Sequence, residues 1–136
     1  MNTKFSTKVI VKLNRDTKEG KVSWQVSRDK PSSLSGTEVL IDNVYTTGVE
    51  GKIIRLYKYQ YKYWFDEGKF EWSDDYRLEF IDSYGGSEWT FPNDRAIYDL
   101  YDSVRYKTSN VEGFFDKYLT EEEKKDEPKD PFFPEY

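Results

Sequence analysis

The 136-residue chain has no cysteine and no histidine. Without cysteine there is no disulfide framework, no thiolate nucleophile and no cysteine-ligated zinc. Without histidine the commonest general base is missing, and with it the Ser-His-Asp triad and the HExxH zinc motif. Alanine, the strongest helix former, occurs once, at Ala96. No window approaches the run of about 20 apolar residues that a membrane span requires. The opening Met1-Asn2-Thr3-Lys4 carries no signal-peptide pattern, and there is no Asn-x-Ser/Thr acceptor. These absences make a cytoplasmic protein the expectation (the host bacterial cytoplasm if the gene is a phage's), with no membrane partner. The net charge of −5 argues against duplex nucleic acid as a partner.

What is present is aromatic. Four Trp, twelve Tyr and nine Phe make up 18% of the chain, and each buries on the order of 150–250 Å² when packed. A single domain of this length therefore has the means to form a core without staples. Residues 1–119 read as one α+β domain, and residues 120–136 as a charged linker with an aromatic tail.

The pattern along the chain is mostly that of strands. Phe5, Thr7, Val9, Val11 and Leu13 alternate with Lys4, Ser6, Lys8 and Lys12, and the β-branched run Val9-Ile10-Val11 favours a strand over residues 3–13. The spacing of Phe5, Val9 and Leu13 also suits a helix, so that segment stays open between the two. Val22, Trp24 and Val26 predict a second strand, and Val39, Ile41, Asn43 and Tyr45 a third. Lys52 to Phe65 forms a long strand, turned back at Asp66-Glu67-Gly68-Lys69 into Phe70–Ile81. After Tyr84-Gly85-Gly86-Ser87 comes a short last strand, Glu88–Phe91. These turn spacings predict a twisted antiparallel meander. A helix then opens at Pro92-Asn93-Asp94, with Asn93 as its N-cap. Its apolar stripe runs through Ile97, Leu100, Tyr101 and Val104 to Val111, Phe114, Phe115, Tyr118 and Leu119. Thr108-Ser109-Asn110 and Gly113 weaken its middle, so one helix or two should cover the apolar face of the sheet.

Catalytic chemistry has little to draw on. Asp74 and Asp75 point to opposite faces of a strand. Glu71, Asp75 and Glu79 share a face, and read as a solvated strand surface rather than a glycosidase pair. Ser27-x-x-Lys30 matches a nucleophile motif in the wrong setting, a strand end running into Pro31. No phosphate-binding glycine loop and no calcium loop is present. The expectation is a protein with no catalytic residues, metal or cofactor.

Binding residues are easier to find. Arg55, Tyr57, Tyr59, Tyr61 and Tyr63 form a same-face ladder, and Trp72, Tyr76 and Phe80 are expected beside it across the hairpin. Aromatic faces stack bases at about 1–3 kcal/mol each, and arginine forks hold phosphate. Arg55, Arg77 and Arg105 are the three of six arginines placed near the sheet or the helix meeting it. A ladder packed under the helix, with only its hydroxyls at the rim, accounts for the same pattern. Tyr61 and Tyr63 also suit a protein interface, as do Phe132, Phe133 and Tyr136 of the Pro-Phe-Phe-Pro-Glu-Tyr tail. That tail reads either as a linear motif for a partner or as a cover for the edge or open face of its own or a neighbouring protomer's sheet.

The segments Gly20-Lys21-Val22-x-Trp24, Gly51-Lys52-Ile53-Ile54-Arg55-Leu56-Tyr57, Leu78–Asp82 and Leu100-Tyr101-x-x-Val104-Arg105 resemble a broad group of small bacterial and phage proteins of unknown role. The likeness covers residues from about 12 to 119. A sheet followed by a C-terminal helix also resembles the anti-Thoeris sponge proteins of phages. Those are oligomers that sequester a cyclic ADP-ribose signal between an aromatic residue and helix arginines. This resemblance implies Phe80 or Phe91, Asn93 and Arg105 as the comparable residues; of the family's helix arginines only Arg105 is represented, with Lys107 nearby. The expectation is thus a homo-oligomeric anti-defence protein that binds a small nucleotide-like ligand through Arg55, Tyr57, Tyr59, Arg77, Phe80, Phe91, Asn93 and Arg105. The alternative is an inhibitor or accessory subunit that engages a host protein through the Tyr-rich face and the tail.

Overall fold

The structure, a computed structural model, describes residues 3–125. The expectations for Phe132, Phe133 and Tyr136 lie outside those residues. Helix α1 (Thr3–Lys18) is followed by strands β1 (Gln25–Ser27), β2 (Val39–Val49), β3 (Lys52–Asp66), β4 (Lys69–Ile81) and β5 (Ser87–Thr90). Helices α2 (Arg95–Thr108), α3 (Val111–Tyr118) and α4 (Glu121–Lys125) complete the order. The strands form one antiparallel sheet in sequential order, β1-β2-β3-β4-β5, so the expected α+β meander is present.

Residues 3–13 are helical, which corrects the preference for a strand. The side chains that alternate in sequence, Phe5, Val9 and Val11, are exposed. The buried stripe is instead Ser6, Ile10, Leu13 and Thr17, at helical spacings of four, three and four. Two of its four members are small and polar, so it carries little apolar signal. Thr17 Oγ1 donates to Leu13 O and accepts from Trp24 Nε1, at 2.7 and 3.0 Å. This satisfies the buried indole and fixes the chain that leaves the helix. Gly20 ends α1 at φ +77°, with Lys21 N donating to Asp16 O and Gly20 N to Thr17 O. That is a Schellman close, and it explains why a glycine stands there. The strand expected from Val22 shrinks to Gln25–Ser27, because Val22 and Trp24 turn in to pack against the core.

Strands β2 and β3 meet at Glu50-Gly51, both at positive φ, the turn that matches sheet twist. In the β3–β4 ladder Ile54 faces Phe80, Leu56 faces Leu78 and Lys58 faces Tyr76. This is the face the helices cover. Ile54, Leu56 and Leu78 join Tyr45 of β2, Ile10 and Leu13 of α1, and Ile97, Leu100, Tyr101 and Val104 of α2 in one core. Trp24 and Phe91 belong to the same cluster. Each fully buried aliphatic side chain there contributes about 1.5–3 kcal/mol.

Three further readings are corrected. The N-cap of α2 is Asp94, not Asn93: its carboxylate accepts from Ala96 N and from the Thr7 hydroxyl of α1. The helical stripe breaks where the sequence allowed, at Ser109-Asn110 with Asn110 at φ +52°, but α3 leaves Phe114, Phe115 and Tyr118 exposed instead of covering the sheet. The charged stretch after Leu119 begins with the short helix α4 rather than a plain linker.

Candidate functional site

The tyrosine ladder lies on the face opposite the helices. Arg55 stands across from Glu79, Tyr57 from Arg77, Tyr59 from Asp75, Tyr61 from Ser73 and Tyr63 from Glu71. Trp72, Tyr76 and Phe80 occupy the helix-facing side, so they do not join the ladder as expected. The ladder is not covered by a helix; its inner half is covered by the connection between β1 and β2.

That inner half is a closed polar network. Glu79 is fully buried and Arg55 nearly so, which corrects the reading of Glu79 as part of a solvated face. Arg55 Nε donates to Glu79 Oε2 at 2.9 Å, Arg55 Nη2 stands 2.8 Å from the same oxygen, and Nη1 donates to Gly85 O at 2.9 Å. Ser33 Oγ donates to Glu79 Oε2 at 2.7 Å and lies 2.7 Å from the Tyr57 hydroxyl. One rung further out, Arg77 donates to Tyr57 Oη, to Ser33 O and to both oxygens of Glu38. Its guanidinium sits 4.4 Å above the Tyr59 ring. Both candidate arginines are therefore engaged by carboxylates of their own chain, and together they hold residues 32–38 on the sheet.

The protonation equilibria follow from this packing. Burial pushes the Tyr57 and Tyr59 hydroxyls above their usual range. Burial also works against the Arg77 charge, but hydrogen bonds to Glu38 and Tyr57 outweigh it and raise its pKa. For Glu38, burial acts upward; the Arg77 hydrogen bonds and charge and the Ser35 amide outweigh it and leave the carboxyl below its ordinary range.

The outer half of the ladder is different. Strand β2 pairs with β3 only as far as Val39–Gln60, and β5 pairs with β4 only from Glu79 onward. Residues 61–66 and 69–73 therefore extend as a two-stranded arm with no sheet neighbour on either edge. Aromatics occupy both of its faces. Tyr61 and Tyr63 continue the ladder on one side, while Trp64, Phe70 and Trp72 form a row on the other. In that row Trp64 and Phe70 centroids are 5.0 Å apart, and Phe70 meets Trp72 edge-on at 6.0 Å. Lys62 Nζ stands 4.5 Å over Phe70 and 5.7 Å from Trp72. Tyr63, Trp64, Phe65 and Trp72 are each 50–57% exposed. A groove of about 710 Å³ follows the free edge of β3, lined by residues 35–39 on one side and Tyr61, Lys62, Trp64 and Trp72 on the other.

The other expected ligand residues are elsewhere. Phe80 and Phe91 pack with Trp89, their ring centroids 4.8–5.6 Å apart, on the helix side of the sheet. Asn93 donates to Asp75 Oδ2 at 3.0 Å beside the start of α2. Arg105 lies in the last turn of α2, ten residues or about 15 Å along the axis from Arg95, with Nη2 3.9 Å from Asp42 Oδ2. The eight residues thus divide into Arg55, Tyr57, Tyr59 and Arg77 on one face, and Phe80, Phe91, Asn93 and Arg105 on or beside the helical layer.

Sequence reasoning did not single out Trp64, Phe70, Ser33 or Glu38. The first two had a signal: Tyr63-Trp64-Phe65 puts aromatics on both faces of one strand end, which fits only a doubly buried strand or an exposed recognition surface. Ser33 and Glu38 lie in a connection without periodicity and had none. Among the described residues no cluster of carboxylates is placed to hold a metal, and no helix is long and apolar enough to cross a membrane. No protein-family model, curated protein or solved structure matches the chain.

Proposed function

We propose that this is a non-enzymatic binding protein whose working surface is the aromatic arm, and that its partner is a protein. The observation that carries the reading is the exposure of Tyr63, Trp64, Phe65 and Trp72 on a two-stranded extension with free edges. An isolated hairpin is marginal in water, and exposed aromatic clusters of this kind are the usual anchors of protein interfaces. The inhibitor or accessory-subunit role fits this surface; the Arg55–Glu79 and Arg77–Glu38 pairs supply a rigid base for it.

A second reading, sequestration of a small anionic nucleotide-like signal in an anti-defence role, has one observation in its favour. A cleft of about 360 Å³ between the β1–β2 connection and the Tyr84-Gly85 turn is lined by Ser27, Asp29, Lys30, Ser32, Thr46, Tyr84 and an edge of Arg55. Lys30 and the hydroxyls suit a phosphate-sized group, while Asp29 opposes it and the Arg55 charge is already paired with Glu79.

Native mass spectrometry of the full chain purified from its own cells separates the two. A bound protein mass that disappears in the Trp64→Ser/Trp72→Ser variant, with thermal stability retained, is the expected result. A bound mass of a few hundred daltons that survives those changes and is lost in Lys30→Ala would overturn it in favour of sequestration.

A further inference from the structure

The groove beside the arm has three properties that together define what it accepts. Its walls are aromatic: Tyr61 from one face of the sheet, Trp64 and Trp72 from the other. Its carboxylate, Glu38, is already neutralised by Arg77 at 3.0 Å, while its lysine, Lys62, makes no ion pair among the described residues. Its charge available to a ligand is therefore positive. Aromatic walls of this kind recognise proline-punctuated extended chains, whose polyproline II form is preset at low entropy cost.

The chain contains such a segment. Three of its five prolines are Pro128, Pro131 and Pro134, a spacing of three that matches the three residues per turn of polyproline II and places all three rings on one side. The same spacing excludes strand addition to the free edge of β3. Residues three apart face opposite ways in a strand, so one of any adjacent proline pair would sit where the ladder requires an N–H. Residues 126–136 also carry four acidic side chains against one lysine, complementary to Lys62. Eleven residues at about 3.1 Å each reach roughly 34 Å beyond Lys125. Pro131 and Pro134 come about 19 and 28 Å along that reach.

Resting on the reading of the arm as the working surface, we infer that residues 126–136 dock in the groove of their own chain, with the Pro131 and Pro134 rings against Trp64 and Trp72, which share one face of the arm. The tail is then a built-in competitor for the protein partner, and a partner with a proline-punctuated acidic segment is the kind the arm selects.

The test compares the full chain with a chain ending at Lys125, using a synthetic peptide of residues 126–136 and the indole N–H resonances of Trp64 and Trp72. The peptide should shift both resonances in the shortened chain and leave the full chain unchanged. Pro131→Ala/Pro134→Ala in the peptide, or Trp64→Ala/Trp72→Ala in the protein, should weaken binding on the order of thirtyfold, as loss of central anchors does. Both chains should sediment as monomers. Two results would each overturn the inference: no shift at either tryptophan, or a dimer of the full chain that dissociates on shortening. If the shortened chain still captures its partner through Trp64 and Trp72 while ignoring the peptide, the tail inference fails and the reading of the arm stands.

Discussion

Glu79 carries a large energetic stake for a single side chain. It is fully buried, its Oε2 receives Arg55 and Ser33, and its Oε1 has no partner among the described residues. A buried pair of this kind adds little over an apolar pair, but removing one member strands the other charge. Glu79→Ala should therefore destabilise the fold by about 3–5 kcal/mol, measured by urea unfolding, and the double change Arg55→Met/Glu79→Leu should recover most of the loss. The alternation grouped Glu79 with Glu71 and Asp75 on one face, as found, but did not place that face beside the ladder. It could not show that residues 32–38 would fold over that rung and not the outer ones. The decisive contact is Ser33, a residue type with no patterning signal in a connecting segment. Arg55 and Tyr57 were found for a reason that holds, their shared face; Arg77 was chosen only as an arginine near the sheet and stands on that face too, and all three serve each other and Glu38 before any ligand.

At the scale of elements, the two ends of the helical layer are tied by one carboxylate. Asp94 caps α2 through Ala96 N and accepts the Thr7 hydroxyl from α1, so it joins both helices. Asp94→Ala should cost about 0.5–2 kcal/mol as a lost cap, and Asn93→Ala, which removes only an exposed bond to Asp75, should cost less; thermal unfolding of the two variants checks the order. Strands β2 to β5 were legible because their turns carry glycine at the required positions and their alternation is strong. Helix α1 was not, since its buried stripe ends in Ser6 and Thr17 while its conspicuous residues, Phe5, Val9 and Val11, face outward. The side of the sheet taken by the helices was also obscured. Lys52, Lys58 and Lys62 interrupt the apolar run of Ile54 and Leu56 on the covered face, because the helices reach only its inner half.

For the molecule as a whole, acid should loosen the network before it loosens the core. Glu38 has its folded pKa below the ordinary 4.5 and Asp94 below the ordinary 3.8, held there chiefly against burial by Arg77 and Ser35 in one case and by Thr7 and Ala96 N in the other. A depressed folded pKa means stability that is complete above the ordinary value and is lost as pH falls through the folded one. The urea midpoint should hold from neutral pH to about pH 5 and decline below it, and Glu38→Gln should lower the plateau while flattening the decline. The meander also bears on how the chain is made. Every strand pairs with its sequence neighbour, so the sheet grows locally as each hairpin emerges. Helix α1 is the exception: Thr7 meets Asp94 across 87 positions. At ribosomal speeds of about 5–20 residues per second, α1 waits roughly 4–17 s for its cap partner. Through that interval Ile10 and Leu13 have no roof to complete, and a growing chain in this state is a natural client for whatever shields nascent apolar helices.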